Sequence, residues 1–334
     1  MNLTRNQLLL GLAVLTMVTL AIQVSGRLWR EPPPPPLMVG TNLWLGYEPL
    51  HLARELDFFE KEDVRLVDYS SATQVIQAFR NKGIQAAALT LDEVLLLRET
   101  GIDVTIILAN DISDGGDVVL GRPGITSLDQ LKGKSVGVET SALGAYVLAR
   151  ALQSVNLKQG DVRVVPLEVD EHESAFESGE LDAVVTFEPV RSKLLEGGAS
   201  LLFDSSQIPG EIVDVVVVRR ELLMEREGQL ITLLRGWYRA LEYLEQKPDD
   251  ACEKMAKRLG ISPDEVLKGY EGLHLPDQKE TAKMLRGDPA PLTETARKLA
   301  AVMKEAGLML AEPELDDLTA PGPLLKLGSA DDNE

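Results

Sequence analysis

The chain has 334 residues, 44% of them hydrophobic and 4% aromatic, with a formal net charge of −19. That length and apolar content can fill real cores and exclude a disordered polypeptide, while the charge repels phosphate backbones and argues against nucleic acid as a partner. Cys252 is the single cysteine, which excludes a disulfide framework and a cysteine-rich zinc site.

Arg5 precedes an uncharged apolar stretch over residues 8–24. Its length exceeds the roughly 7 to 15 residues of a signal core and falls at the short end of the about 17 to 25 of a membrane span. Residues 1–30 are therefore read as a signal peptide or an inner-membrane anchor, and both place the remainder in the periplasm or on the outer face of the cytoplasmic membrane. Residues 31–36 include a proline run, Pro32 to Pro36, that reads as a stiff polyproline II linker.

From Leu37 short apolar runs alternate with amphipathic stretches. Residues 37–41, 64–69, 86–90 and 104–109 read as strands, and 49–59, 72–82 and 91–100 as helices between them. This βα alternation predicts a largely parallel sheet. A second set follows Asp114-Gly115-Gly116-Asp117, with strands at 118–120, 135–138, 162–166, 183–186 and 201–203. The β-branched run 212–218 is a further strand, and helices are expected at 228–246, 248–259, 263–272 and 291–306.

The fold class is α/β with two lobes joined by a double crossing. Residues 37–112 and 219–311 form the first lobe, 113–218 the second with the hinge crossings, and 312–334 an acidic C-terminal tail.

Four strand-to-helix turns carry polar or aromatic groups at the carboxyl edge, where ligands of open α/β sheets bind. They supply Asn42, Trp44 and Tyr47, then Thr90, then Ser141 and Tyr146, then Phe187 and Glu188. Ser141 is placed to cap a helix whose free N–H groups could grip a ligand oxygen. Glu48, Asp92 and Glu188 sit in or beside first helical turns, where carboxylates are favourable without a ligand. Aromatic faces beside acids also suit an organic cation.

The stretch from Asp111 to Asp117 resembles a calcium loop, but the twelfth position is Arg122 where a bidentate Glu is required. It reads as a hinge turn. Asp114 there and Asp214 on the return crossing are candidate cleft carboxylates. His51, His172 and His274 are isolated, and neither G-x-S-x-G nor a phosphate loop occurs. No enzyme, cofactor or metal site is read. Trp237 and Tyr238 fall on a long amphipathic helix and are read as packing groups.

The segments from Trp44 to Leu50 with Leu52 to Phe59, from Leu128 to Val138, and from Leu181 to Pro189 together resemble the solute-binding proteins of ABC importers, in the nitrate, sulfonate, taurine and thiamine-precursor class. The resemblance covers about 37–307. It implies a type II periplasmic-binding fold whose lobes close on a small ligand, an ABC permease and its ATPase as partners, a monomer, and no covalent chemistry. Asp57 stands where that class usually has glycine, Gln85 where an Asp is common, and Phe187 where Trp is more frequent.

No Lys or Arg lies on the four turns, so a cationic, zwitterionic or neutral nitrogenous solute is expected, with Glu188→Gln weakening a cation. A sulfonate-like or nitrate-like anion and a membrane-tethered sensor are the alternatives. A pyrimidine-synthase-type enzyme shares a related fold, but this chain lacks the reactive His and Cys-rich iron segment it would need.

Overall fold

The computed structural model describes residues 34–139 and 143–327, and those from Pro36 onward form one compact unit. The apolar stretch 8–24 and Ser141 lie outside the described residues. Among those described, no helix is long and apolar enough to cross a membrane.

The chain lays down β1 (Leu37–Thr41), β2 (Val64–Asp68), β3 (Ala86–Thr90) and β4 (Val104–Ser113). It then builds β5 (Val118–Gly121), β6 (Ser135–Val138), β7 (Arg163–Pro166), β8 (Ala183–Thr186) and β9 (Ser200–Asp204). It returns as β10 (Val213–Arg219), and a two-residue β11 (Leu273–His274) follows. Two sheets result, ordered β11-β4-β10-β3-β1-β2 and β7-β6-β8-β5-β9.

Both sheets are mixed, which corrects the expectation of largely parallel pairing. β1 pairs parallel with β2 and β3, and β6 pairs parallel with β7 and β8. The crossing strands run the other way: β10 is antiparallel to β3 and β4, and β5 is antiparallel to β8 and β9. A strand that enters a sheet from its neighbour arrives without a βα crossover, so nothing constrains it to the parallel direction.

Helix boundaries follow local chemistry. In Ala72–Arg80, Val75, Ile76 and Phe79 recur at helical spacing and are buried, and the Ser71 hydroxyl caps the start by accepting from the Gln74 N–H at 3.3 Å. The helix Glu48–Glu55 stops short of the expected end, with Asp57 at φ 52°. Glu227–Gln246 buries Trp237 completely. Gln278–Leu285 is a helix the sequence reading missed, capped by Asp277, whose carboxylate accepts from the Glu280 N–H at 2.7 Å.

The expected acidic tail is not a tail over 312–327. The Ile106 N–H donates to the Leu318 carbonyl at 2.8 Å, and Leu318, Leu324 and Leu327 are buried. Apolar residues spaced among the acids decide the placement, because burying them outweighs the solubility of their charged neighbours.

The two crossings are tied together. The Ser113 and Ser205 hydroxyls are hydrogen-bonded at 2.8 Å, the Gly115 N–H donates to Ser205 Oγ at 2.6 Å, and the Ser113 N–H donates to the Ile212 carbonyl at 3.1 Å.

Candidate functional site

The carboxyl edges of the two sheets meet at two adjoining small cavities of about 30 and about 20 Å³. Each has room for a water-sized group. Asn42, Trp44, Tyr47, Thr90 and Asp214 from the first sheet and Phe187 from the second line the larger one. Six residues singled out in the sequence are thus brought together. Ala72, Glu93, Asp117, Glu139 and Leu143 complete its wall, and His172 and Thr186 extend the smaller cavity.

The aromatic turn after β1 is held by carboxylates. Trp44 Nε1 donates to Asp111 Oδ2 at 3.2 Å, and the Tyr47 hydroxyl donates to Asp214 Oδ1. The backbone approaches so closely that a Cβ at Gly46 would overlap the Asp111 carboxylate. Across the cleft the Trp44 and Phe187 rings meet edge to face, with centroids 5.2 Å apart and planes at 86°.

Asp214, Asp117, Glu93 and Glu139 are all buried on the cavity wall, and among the described residues neither Lys nor Arg lines either cavity. Among the described residues, Asp214 Oδ2 and Asp117 Oδ2 have no hydrogen-bond partner. Burial pushes Asp117 up to about 7, and behind the wall it pushes Asp111 up to about 8. Asp214 and Glu93 are also raised well above the usual carboxylate range, first by burial and then by neighbouring acids. His172 is held neutral, its value lowered to about 4 by burial, and its Nδ1 lies 3.2 Å from Thr186 Oγ1. Chemically, this is a wall that accepts hydrogen bonds and positive charge.

Three expected site residues lie elsewhere. Glu188 is held by its own helix: it accepts from Arg191 Nη1 at 2.8 Å, from the Ser192 N–H at 3.2 Å and from Ser192 Oγ at 3.0 Å. A carboxylate beside a helix start finds its nearest donors there. Tyr146 is buried with its hydroxyl donating to Glu211, which also accepts from Arg150 Nε at 2.7 Å. Asp114 is exposed, and its N–H donates to the Gly272 carbonyl at 2.8 Å.

Of the acids on that loop, Asp117 lines the cavities and Asp111 is buried behind their wall, whereas Asp114 is exposed. β4 extends to Ser113, so residues past the apolar run still alternate between its faces. Glu93 could have been found from its position three residues after Thr90, whose N–H it accepts at 2.9 Å. Glu139 opens the third of the four strand-to-helix turns, where Ser141 and Tyr146 are the candidates.

The family model described as the NMT1-like family matches residues 30–260. The taurine-binding periplasmic protein of Escherichia coli K12 is 22% identical over 273 residues, covering 78% of this chain and 84% of that protein. The alkanesulfonate-binding protein SsuA from Xanthomonas axonopodis pv. citri, bound to MOPS, superposes with a TM-score of 0.73 at 16% identity, over 87% of this chain and 99% of its own. The desulfurization enzyme DSZB gives a TM-score of 0.67 at 17% identity, over 89% and 99% of the two chains. The two-sheet α/β fold is therefore the periplasmic-binding fold expected from the sequence. Relatives named for taurine and alkanesulfonates favour the anion alternative over a cationic solute.

Proposed function

The chain belongs to the NMT1-like family, and from that premise we propose that it is the extracytoplasmic solute-binding component of an ABC importer. A small solute enters between the two sheets, is enclosed by their approach, and is delivered to a permease driven by its ATPase. Residues on both sheets line the same cavities, so a bound solute would favour whichever arrangement brings the sheets together. The role is binding without covalent chemistry. The proposed lobes are 37–112 with 219–311 and 113–218, joined by the crossings that Ser113 and Ser205 tie.

The solute carries a protonated nitrogen. One observation carries this reading: among the described residues, the wall presents buried carboxylate oxygens of Asp214 and Asp117 without partners, beside Trp44, Tyr47 and Phe187 and without a basic side chain. An ammonium or amidinium group would satisfy those oxygens and lie against aromatic faces. A second reading, an alkanesulfonate, is favoured by what the relatives are named for. Taurine chemistry touches both, because an aminosulfonate bears an ammonium as well as a sulfonate.

Titration calorimetry of the full chain against primary amines, aminosulfonates and simple alkanesulfonates tests the proposal. Binding of amines or aminosulfonates, with no heat from ethanesulfonate, is expected. Tight ethanesulfonate binding without amine binding would replace the cationic reading by the anionic one, and turnover of a bound solute would overturn the transport role.

A further inference from the structure

The cavity wall carries the start of a helix, which favours anions, and the chain fills that position with its own carboxylate. Ala72 opens the Ala72–Arg80 helix and lines the larger cavity, so the positive end of that helix lies on the wall. The donors there are the Thr73 N–H, one of the first-turn groups with no intrahelical acceptor, and the Thr73 hydroxyl. Both donate to Glu139 Oε1, at 3.2 and 2.7 Å.

Glu139 follows β6 in the second sheet, whereas Thr73 follows β2 in the first, so this contact spans the cleft. The Glu139 side chain is nine-tenths buried and is itself part of the cavity wall. Among the described residues, the other charged groups that line the cavities are acidic.

We infer that Glu139 sets the sign of the ligand: as a tethered anion seated on Thr73 at the helix start, it denies that position to a sulfonate or carboxylate and leaves the cleft to cations. An external anion would have to displace a covalently tethered carboxylate, whose effective concentration at the helix start is high. The Glu139 carboxylate already acts unfavourably on Asp92 and Glu93, so a second anion beside it would add to that repulsion. This explains how a chain with the fold of alkanesulfonate-binding proteins can carry a cavity walled by acids. The inference rests on the solute-binding reading above.

The test uses the full chain, with Glu139→Gln and Glu139→Ala, and two probes, ethanesulfonate and 1,4-diaminobutane, followed by calorimetry. Glutamine keeps the shape of the side chain and removes its charge, which guards against loss of folding in the alanine variant. Glu139→Gln is expected to bind ethanesulfonate about tenfold more tightly than the wild type, the size of effect a charge at a helix start supports. Adding Thr73→Ala to Glu139→Gln is expected to reverse part of that gain. If Glu139→Gln folds and gains no ethanesulfonate affinity, the inference is overturned. Diaminobutane binding retained in that case leaves the solute-binding reading standing, whereas a wild type that binds ethanesulfonate tightly and not the diamine sinks this inference and the cationic reading together.

Discussion

Asp111 and Asp214 stand directly opposite each other on β4 and β10, and both are fully buried. Like charges directly across an antiparallel pair repel, and burial raises the cost of ionising either, so the folded chain keeps protons on this pair near neutral pH. Trp44 donates to one and Tyr47 to the other, so the pair also sets the aromatic turn of the cavity. Only Asp214 reaches the cavity wall. Asp214→Asn is therefore expected to leave the melting temperature unchanged or higher, because a neutral amide replaces a carboxyl that resists ionisation. The same variant should weaken an amine ligand at least about tenfold, or ~1.4 kcal/mol. Differential scanning fluorimetry and calorimetry read the two effects separately, and unaltered amine affinity would remove Asp214 from the site.

Stability should fall as the pH rises above 6.5. Asp111 and Asp117 are raised to about 8 and about 7, so the folded chain holds protons that the unfolded chain has lost at ordinary carboxylate values. In that window the native state binds more protons than the unfolded state, and each carboxyl still protonated in the native state lowers stability by about 1.4 kcal/mol per pH unit. Below pH 6.5 the buried His51 and His172, lowered to about 3 and about 4, act in the opposite sense, because the unfolded chain takes up their protons first. Urea unfolding at pH 6.5, 7.5 and 8.5 should give a declining series. An amine ligand should flatten it, since a cation favours the ionised wall. A rising series would show that the acids are ionised in the native state.

Much of the fold was legible because apolar runs and 3.6-residue spacing survive in the structure: β1, β3, β6 and β8 lie where the runs predict them. Strand direction was not legible, since a period-two pattern reads the same both ways, and the antiparallel placement of β10 between β3 and β4 depends on partners far along the chain. At the site, residues on the turns themselves, Asn42, Trp44, Tyr47 and Phe187, were found because scarce aromatics stand out. Asp111, buried behind the cavity wall, was missed because hydropathy ends at Ala109 while β4 continues through buried polar residues to Ser113, and Asp117, which lines the wall, lies beyond the end of β4. Tyr146 was misassigned because its partner, Glu211, lies 65 residues away.

Glu188→Gln now carries the opposite expectation from the one its sequence position suggested. Its oxygens are engaged by Arg191 and Ser192 and it does not line the cavities. Solute affinity should stay within about twofold, while stability drops by about 1 kcal/mol through weakened charge-assisted hydrogen bonds. A large loss of affinity at unchanged melting temperature would return Glu188 to the site.

Arg258 is expected to be worth more to the fold at high pH than at low pH. Glu48 opens the helix after the aromatic turn and is fully buried, with Arg258 donating to it and, at 2.6 Å, to Asp68. Burial raises Glu48 to about 7 even though Arg258 pulls it down, so the ion pair only partly offsets the desolvation of the carboxylate. Removing the guanidinium in Arg258→Ala leaves a buried carboxylate without its counter-charge, a change that costs about 3 to 5 kcal/mol when the carboxylate is ionised. At pH 5.5 Glu48 can keep its proton instead, so the loss there should be smaller. Glu48→Gln in the same chain should recover part of the loss at pH 8, because the amide carries no charge to strand. Urea denaturation of the wild type, both single variants and the double variant at the two pH values measures the coupling. Equal losses at both pH values would mean that Arg258 acts through packing and Asp68 alone, with Glu48 contributing no charge to the pair.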